Sequence, residues 1–255
     1  MMSVAGKSLW GAAVVCLAVM VVCLLALRVE APRLLGVHPA LKPLKFAISI
    51  GLFLATLAVL LPHLQTSGPV RLGLAVVLVA TNAVELGLIA LQAARGRTSH
   101  FNTATPLDKA ITLTMAGAIV VMLGGVVAVA WLATFRDLVA CDAAITLAWR
   151  VGLWLFVLVA VTGFTMVSHG RHTVGAPDGS AGLPIANWSR THGDLRVPHF
   201  IALHALQVLP LFALACRWIP VSAGARLAIV AVACLGYVAG SVASMAWALA
   251  GRPVL

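Results

Sequence analysis

Charge is what this sequence has least of. Only 9% of its 255 residues are charged, 62% are hydrophobic, and mean hydropathy is +1.07. A soluble domain carries about a quarter charged residues and about half apolar ones. That deficit excludes a soluble fold and implies an integral membrane protein. Acidic residues are the rarest class: seven Asp and Glu against seventeen Lys and Arg, for a net charge of +10. The basic residues sit in short segments between apolar runs, where they orient a membrane protein and meet anionic headgroups. Nucleic acid is therefore not an expected partner; the lipid bilayer is.

Other absences narrow the chemistry. The cysteines, Cys16, Cys23, Cys141, Cys216 and Cys234, form no CxxC pair, and four lie in or beside apolar runs. They read as small hydrophobes, which excludes a disulfide or structural zinc framework. No small-residue cleavage site follows the first apolar run, where Arg28 to Pro32 reads RVEAP, so that run is expected to stay as a helix. There is no internal repeat of helices. The last apolar run contains no Lys, which excludes a retinal Schiff base. No two histidines stand at i, i+4 on one helix, so no single-helix metal clamp is present. Seven-helix zinc hydrolases of lipid amides remain an architectural analogy only.

What is present is seven apolar runs, each near the ~20 residues that cross a bilayer. They are Leu9–Leu27, Phe46–Leu64, Leu72–Ala94, Pro106–Phe135, Ala143–Ser168, Val197–Trp218 and Leu227–Ala250. The expectation is an all-α integral membrane protein, a bundle of seven transmembrane helices forming a single domain over residues 1–255. Lys7, Arg71, Arg136, Arg217 and Arg226 fall on one side; eleven other basic residues fall on the opposite side, with Arg150 inside the fifth helix. The richer side is expected to be cytoplasmic, placing the N-terminus outside and the C-terminus inside a cell (plasma) inner membrane.

Local signals support these boundaries. Thr105-Pro106-Leu107-Asp108 reads as a capping box with Pro at the first helical position. Pro198 suits the first turn of the sixth helix. Gly236, Gly240 and Ser244 form a small-xxx-small row suited to close helix contact. Trp10, Trp131, Trp149 and Trp218 lie near outer helix ends, as an aromatic belt would. Arg150 is expected to pair with Asp142 or to snorkel outward. The polar, glycine-containing segment His169–Arg196 is longer than a link requires and reads as a lid or binding loop.

Candidate chemistry begins at Glu85, midway along the third helix. Thr81, Asn82 and Gln92 share its side, making a polar stripe inside an apolar helix. An ionisable residue there is expensive and normally faces a protein interior or a wet cavity. On the sixth helix His199 and His204 share a broad face with Gln207, at i, i+5 spacing. By topology His100, His192 and Asp194 fall on the same inner side, and His100 can fold back toward Glu85. His169 and His172 read as solvated or headgroup-facing.

Together His100, His192, His199 and His204 are candidate metal ligands, with Glu85 and Asp194 as candidate catalytic carboxylates. Imidazole with carboxylate suits a divalent transition metal such as Zn, Fe or Mn. An open catalytic site needs three protein ligands, which this set can supply. A metal-dependent membrane enzyme acting on a lipid or small hydrophobic substrate is thus one expectation. A second is a redox protein holding haem b through His204 and another histidine. A third is a proton-coupled transporter in which Glu85 and His204 relay protons. A structural subunit of a larger complex is the fourth.

The string GDLRVPHFIALHALQVLP and the tetrapeptide SHFN resemble those of a group of uncharacterised bacterial multi-pass membrane proteins. The resemblance implies a bacterial integral membrane protein and brings no activity with it.

Overall fold

The computed structural model describes residues 3–179 and 182–253. Among the described residues there are seven α-helices, each long and apolar enough to cross a membrane. They are α1 (Val4–Ala26), α2 (Leu41–Leu60), α3 (Gly68–Ala94), α4 (Pro106–Phe135), α5 (Ala143–His169), α6 (Arg196–Ala215) and α7 (Ala223–Leu249). Single 3-10 turns extend α2 over Leu61–His63 and α6 over Cys216–Trp218. The strands β1 (Thr173–Val174) and β2 (Gly193–Asp194) pair antiparallel, with Thr173 opposite Asp194. The chain is an all-α, multi-pass membrane protein. Ser180 and Ala181, within the long polar loop, lie outside the described residues, as do Met1, Met2, Val254 and Leu255.

The helix C-termini fall close to where the hydropathy pattern puts them, whereas several N-termini start earlier. Serine explains three of these early starts, at α1, α3 and α7, while α2 begins at Leu41 with no side-chain cap. Ser3, Ser67 and Ser222 each accept a hydrogen bond from a backbone N–H in the first turn, at Gly6, Val70 and Ala225. A side-chain oxygen that takes an orphan donor lets a helix begin before its apolar stretch does. The capping box at α4 forms in modified shape. The Thr105 hydroxyl oxygen accepts from the Asp108 N–H at 3.1 Å, and its proton goes to the Asp108 carboxylate at 2.8 Å.

The chain forms two compact units: Met1–Pro62 with Thr66–Gly125, and His63–Gln65 with Val126–Leu255. In the first, α1, α2 and α3 pack on one another, and Ile89 on α3 meets Ile111 and Met115 on α4. In the second, α5 and α6 form the most intimate pair and α7 packs on both. Gly152 makes the α5–α6 pair possible: a Cβ there would stand 2.9 Å from the Ala205 carbonyl and 3.0 Å from the Leu206 Cα. One turn further on, Pro210 lies inside α6 and has no N–H to give the Leu206 carbonyl.

Three expectations are corrected. Gly236 and Gly240 have nothing within 4 Å of the position their Cβ would take, so these two glycines make no close helix contact among the described residues. Trp149 is 7% exposed and shares the packed stripe of α5 with Ile145 and Leu153, so it is not part of an aromatic belt. Trp131 and Trp218, at 58% and 89% exposed, do stand outward. Arg150 does not pair with Asp142. Its guanidinium donates to the Ala133 and Arg136 carbonyls at 2.7 and 3.4 Å, closing the last turn of α4. Asp142 instead caps α5 through the Ile145 N–H and faces Arg217 and Arg226.

Gly152→Ala should lower the melting temperature of the detergent-solubilised protein, at a cost of about 1–3 kcal/mol for overpacking. Gly240→Ala, introduced into open space, should leave it unchanged. Equal effects from the two substitutions would contradict the α5–α6 contact.

Candidate functional site

Glu85 faces inward on α3 and is 3% exposed. The loop after α3 turns back on itself and brings His100 to it. His100 Nε2 lies 3.5 Å from Glu85 Oε1, and the ring is 29% exposed. That separation is ion-pair range but too long for a hydrogen bond. Neither Glu85 oxygen accepts a hydrogen bond from any described residue. On its other side, His100 Nδ1 lies 3.1 Å from Lys42 Nζ and 3.2 Å from Ser99 Oγ. An ammonium group can only donate, so Nδ1 accepts and Nε2 carries the proton that faces Glu85. Phe46 and Phe101 flank the imidazole, with ring centroids 6.0 and 6.1 Å away.

This loop is held by a polar anchor one end of which is α3 itself. Gln92 and Asp108 are both fully buried. Asp108 Oδ1 accepts from Gln92 Nε2 and from Arg95, each at 2.9 Å. Arg95 also donates to Gln92 Oε1. Asn102 caps the far side by donating to the Thr98 carbonyl and accepting from the Ala104 N–H. Phe101 has φ +57°, a left-handed conformation that a bulky residue adopts only where its surroundings impose it. The polar stripe seen in the sequence is therefore real but not continuous. Thr81 and Asn82 spend their donors on carbonyls of their own helix, at Val77 and Leu78.

The remaining candidates belong to the second unit. Asp194 is 1% exposed, and each of its oxygens takes two donors. Oδ1 accepts from the Arg196 N–H and Nε, at 3.0 and 2.9 Å. Oδ2 accepts from the Ser189 N–H at 2.8 Å and from a terminal guanidinium nitrogen of Arg196 at 2.6 Å. All four acceptor positions are thus spent on holding the loop. His192 lies beside Thr191, with its N–H on Ser189. His199 Nδ1 stands 2.8 Å from the Thr162 hydroxyl, whose own proton goes to the Val159 carbonyl. His204 Nδ1 donates to the Phe200 carbonyl at 2.8 Å. Both rings are therefore fixed with Nε2 as the open nitrogen.

The structure brings Glu85 and His100 together. It leaves Asp194 paired with Arg196 and His192 in the loop. Among the described residues no group of three or more His, Cys, Asp or Glu side chains is placed to hold a metal. Two participants escaped the sequence: Lys42, read only as a topology charge, and Thr162, an unremarkable polar residue of an apolar helix. Each becomes visible only when a neighbouring segment supplies its histidine.

The His169–Arg196 segment is built around an acid of its own. Asp178 accepts from the His172 ring at 2.7 Å, from the His172 N–H and from the Thr173 N–H. Burial alone would raise its carboxyl, but the hydrogen bonds from His172 and Thr173 outweigh that and hold it well below the usual carboxylate range. A depressed folded-state value means the stabilisation is complete above the unfolded value of 3.8 and is lost as pH falls through the lower, folded one. Asp178→Asn should speed amide exchange at His172 and Thr173 at neutral pH. The difference from the unsubstituted protein should shrink once pH drops below about 4. A pH-independent difference would show that Asp178 is not the anchor.

Comparison of the chain with protein-family models, with curated proteins and with solved structures gave no match.

Proposed function

We propose that this multi-pass membrane protein exchanges protons at the Glu85–His100 pair and works as a proton-coupled carrier in a cell (plasma) membrane. One observation supports the reading above the others. Among the described residues a buried carboxyl group in an apolar helix has no hydrogen-bond donor, and the part-exposed ring of a histidine stands 3.5 Å from it. A carboxylate left in such a place needs a cation or a proton, because an unpaired buried charge is far too costly. Lys42 and His100 together supply the proton. The His100 Nε2–H faces Oε1, and on approach to about 2.8 Å it passes to the carboxylate as Nδ1 takes a proton from the Lys42 ammonium, leaving a neutral amine, a neutral imidazole and a carboxylic acid. Lys42, which sits close enough to act on Glu85 electrostatically, holds the imidazole in the required tautomer.

The metal-dependent and haem readings have less support. An open metal site needs three ligands, and a haem needs an opposed axial histidine for His204. The fixed Nε2 orientation of His199 and His204 is the one observation in their favour, since ligating histidines are tied at their other nitrogen in this way. A Soret band or a stoichiometric metal in the purified protein, lost in His204→Ala, would displace the carrier reading. The orientation proposed with it places the N-terminus outside and the C-terminus in the cytoplasm. A C-terminal reporter active only outside the cytoplasm would reverse it.

The carrier reading is tested in liposomes loaded with a pH-sensitive dye and energised by a potassium diffusion potential. The full chain should raise proton flux, and Glu85→Gln should abolish the increase. His100→Ala should reduce it about tenfold or more, the usual cost of losing a positioned proton-transfer group. Infrared difference spectra should show a carboxyl C=O band that titrates in the unsubstituted protein and is missing in Glu85→Gln. No such band and no added flux would exclude proton exchange at Glu85.

A further inference from the structure

The N-terminal turn of α6 and the C-terminal turns of α7 flank an open groove of about 330 Å³ in the second unit. This lies at the lower edge of the range for ligand sites. One wall is Val197 and Ile201, a turn apart on α6. The opposite wall is Ala243 and Ala248 on α7, where small side chains leave the room. At the mouth stands Arg252, with its guanidinium 4.8 Å over the Trp247 ring. Among the described residues no carboxylate lies within ion-pair distance of that guanidinium. Asp194 borders the groove, but Arg196 neutralises it and its oxygens are fully engaged. Ser244 donates its proton to the Ser241 carbonyl.

From this arrangement we infer that the α6–α7 cleft is a binding site for one anionic phospholipid. The acyl chain lies along Val197, Ile201 and Ala243, and the phosphate sits on Arg252. Three features converge on that class of occupant. The cleft is apolar along its length and cationic at one end, which is the polarity of an amphiphile with an acidic head. The cation lies just past the last turn of a membrane-crossing helix, where headgroups are found. The stacked Trp247 ring, its N–H given to the Pro253 carbonyl, holds the guanidinium in place rather than leaving it to swing through solvent. A zwitterionic headgroup carries its own compensating cation and gains less from Arg252. This site is independent of the Glu85–His100 pair.

The test uses the full chain, purified in detergent, mixed with phosphatidylglycerol or phosphatidylcholine and examined by native mass spectrometry. The unsubstituted protein should retain one phosphatidylglycerol in preference to phosphatidylcholine. Arg252→Gln should reduce that preference about fivefold, as expected for one basic residue at the membrane surface. Ala243→Phe, which fills the cleft, should reduce retention of both lipids. Equal retention by the unsubstituted protein and both variants would overturn the inference, and so would displacement of the lipid by inorganic phosphate alone. Helicity and a monodisperse elution profile check that the variants fold. If either does not, phosphatidylglycerol bearing a photoreactive acyl chain is applied to the unsubstituted protein. Label on the peptides containing Ile201 or Ala243 supports the site, and label confined to other helices refutes it.

Discussion

No water reaches the sides of these helices, so every polar group carried into the apolar spans must find its partner within the protein. That constraint arranges the whole interior. Thr81, Asn82, Thr134, Thr165 and Ser241 each donate to a carbonyl of their own helix, one turn back. Trp154 is satisfied by the Thr134 hydroxyl and Tyr237 by the Ile201 carbonyl. The outward faces, by contrast, carry bare Val, Leu and Ile, as on α1 and α7. Glu85 stands apart because both its oxygens are buried and neither is hydrogen-bonded. Among the described residues the Gln207 Oε1 and the Arg71 and Arg226 Nε atoms are also buried without a hydrogen bond, but Glu85 alone has its whole carboxyl group so placed, and that points to function more than to packing.

The C-terminal end of the third helix shows how such an exception is kept stable. Toward the loop, Gln92, Arg95, Asp108 and Thr105 form a network in which a buried carboxylate receives three donors. That network fixes the loop that carries His100. One acid is used as an anchor so that a second, Glu85, can be left open beside a histidine. In the second unit Asp194 and Asp178 are both spent as anchors of the long loop. Acids are too few here for most to be incidental, and three of these four are structural.

Much of the fold was legible in the sequence because hydropathy and helix length are one-dimensional properties. Seven spans, the inward stripe of α3 and the Thr105–Asp108 cap can all be read without knowing any neighbour. What escaped depends on partners distant in sequence. Gly152 looks like any helical glycine until the α6 backbone is laid against it, while the more suggestive Gly236 and Gly240 face open space. Trp149 is near a helix end, but its angular position puts it on the packed stripe. Among the candidate site residues, the spatial pairing of Glu85 with His100 follows from topology. Asp194 and His192 drew attention as loop donors near a membrane surface, and only the Arg196 fork and the Ser189 turn reveal what occupies them.

The seat of Gly193 ties this architecture to the order in which the chain is made. A Cβ there would stand 2.0 Å from the Ala248 carbonyl, so β2 rests directly on the last turn of α7. The β1–β2 pair and the Asp194–Arg196 fork are thus built against a surface that does not exist when they leave the ribosome. At roughly 5–20 residues per second, the stretch from Gly193 to Ala248 takes on the order of several seconds to synthesise. Through that interval the long loop waits without its support. The second unit can close around this loop only after α7 has been made and inserted.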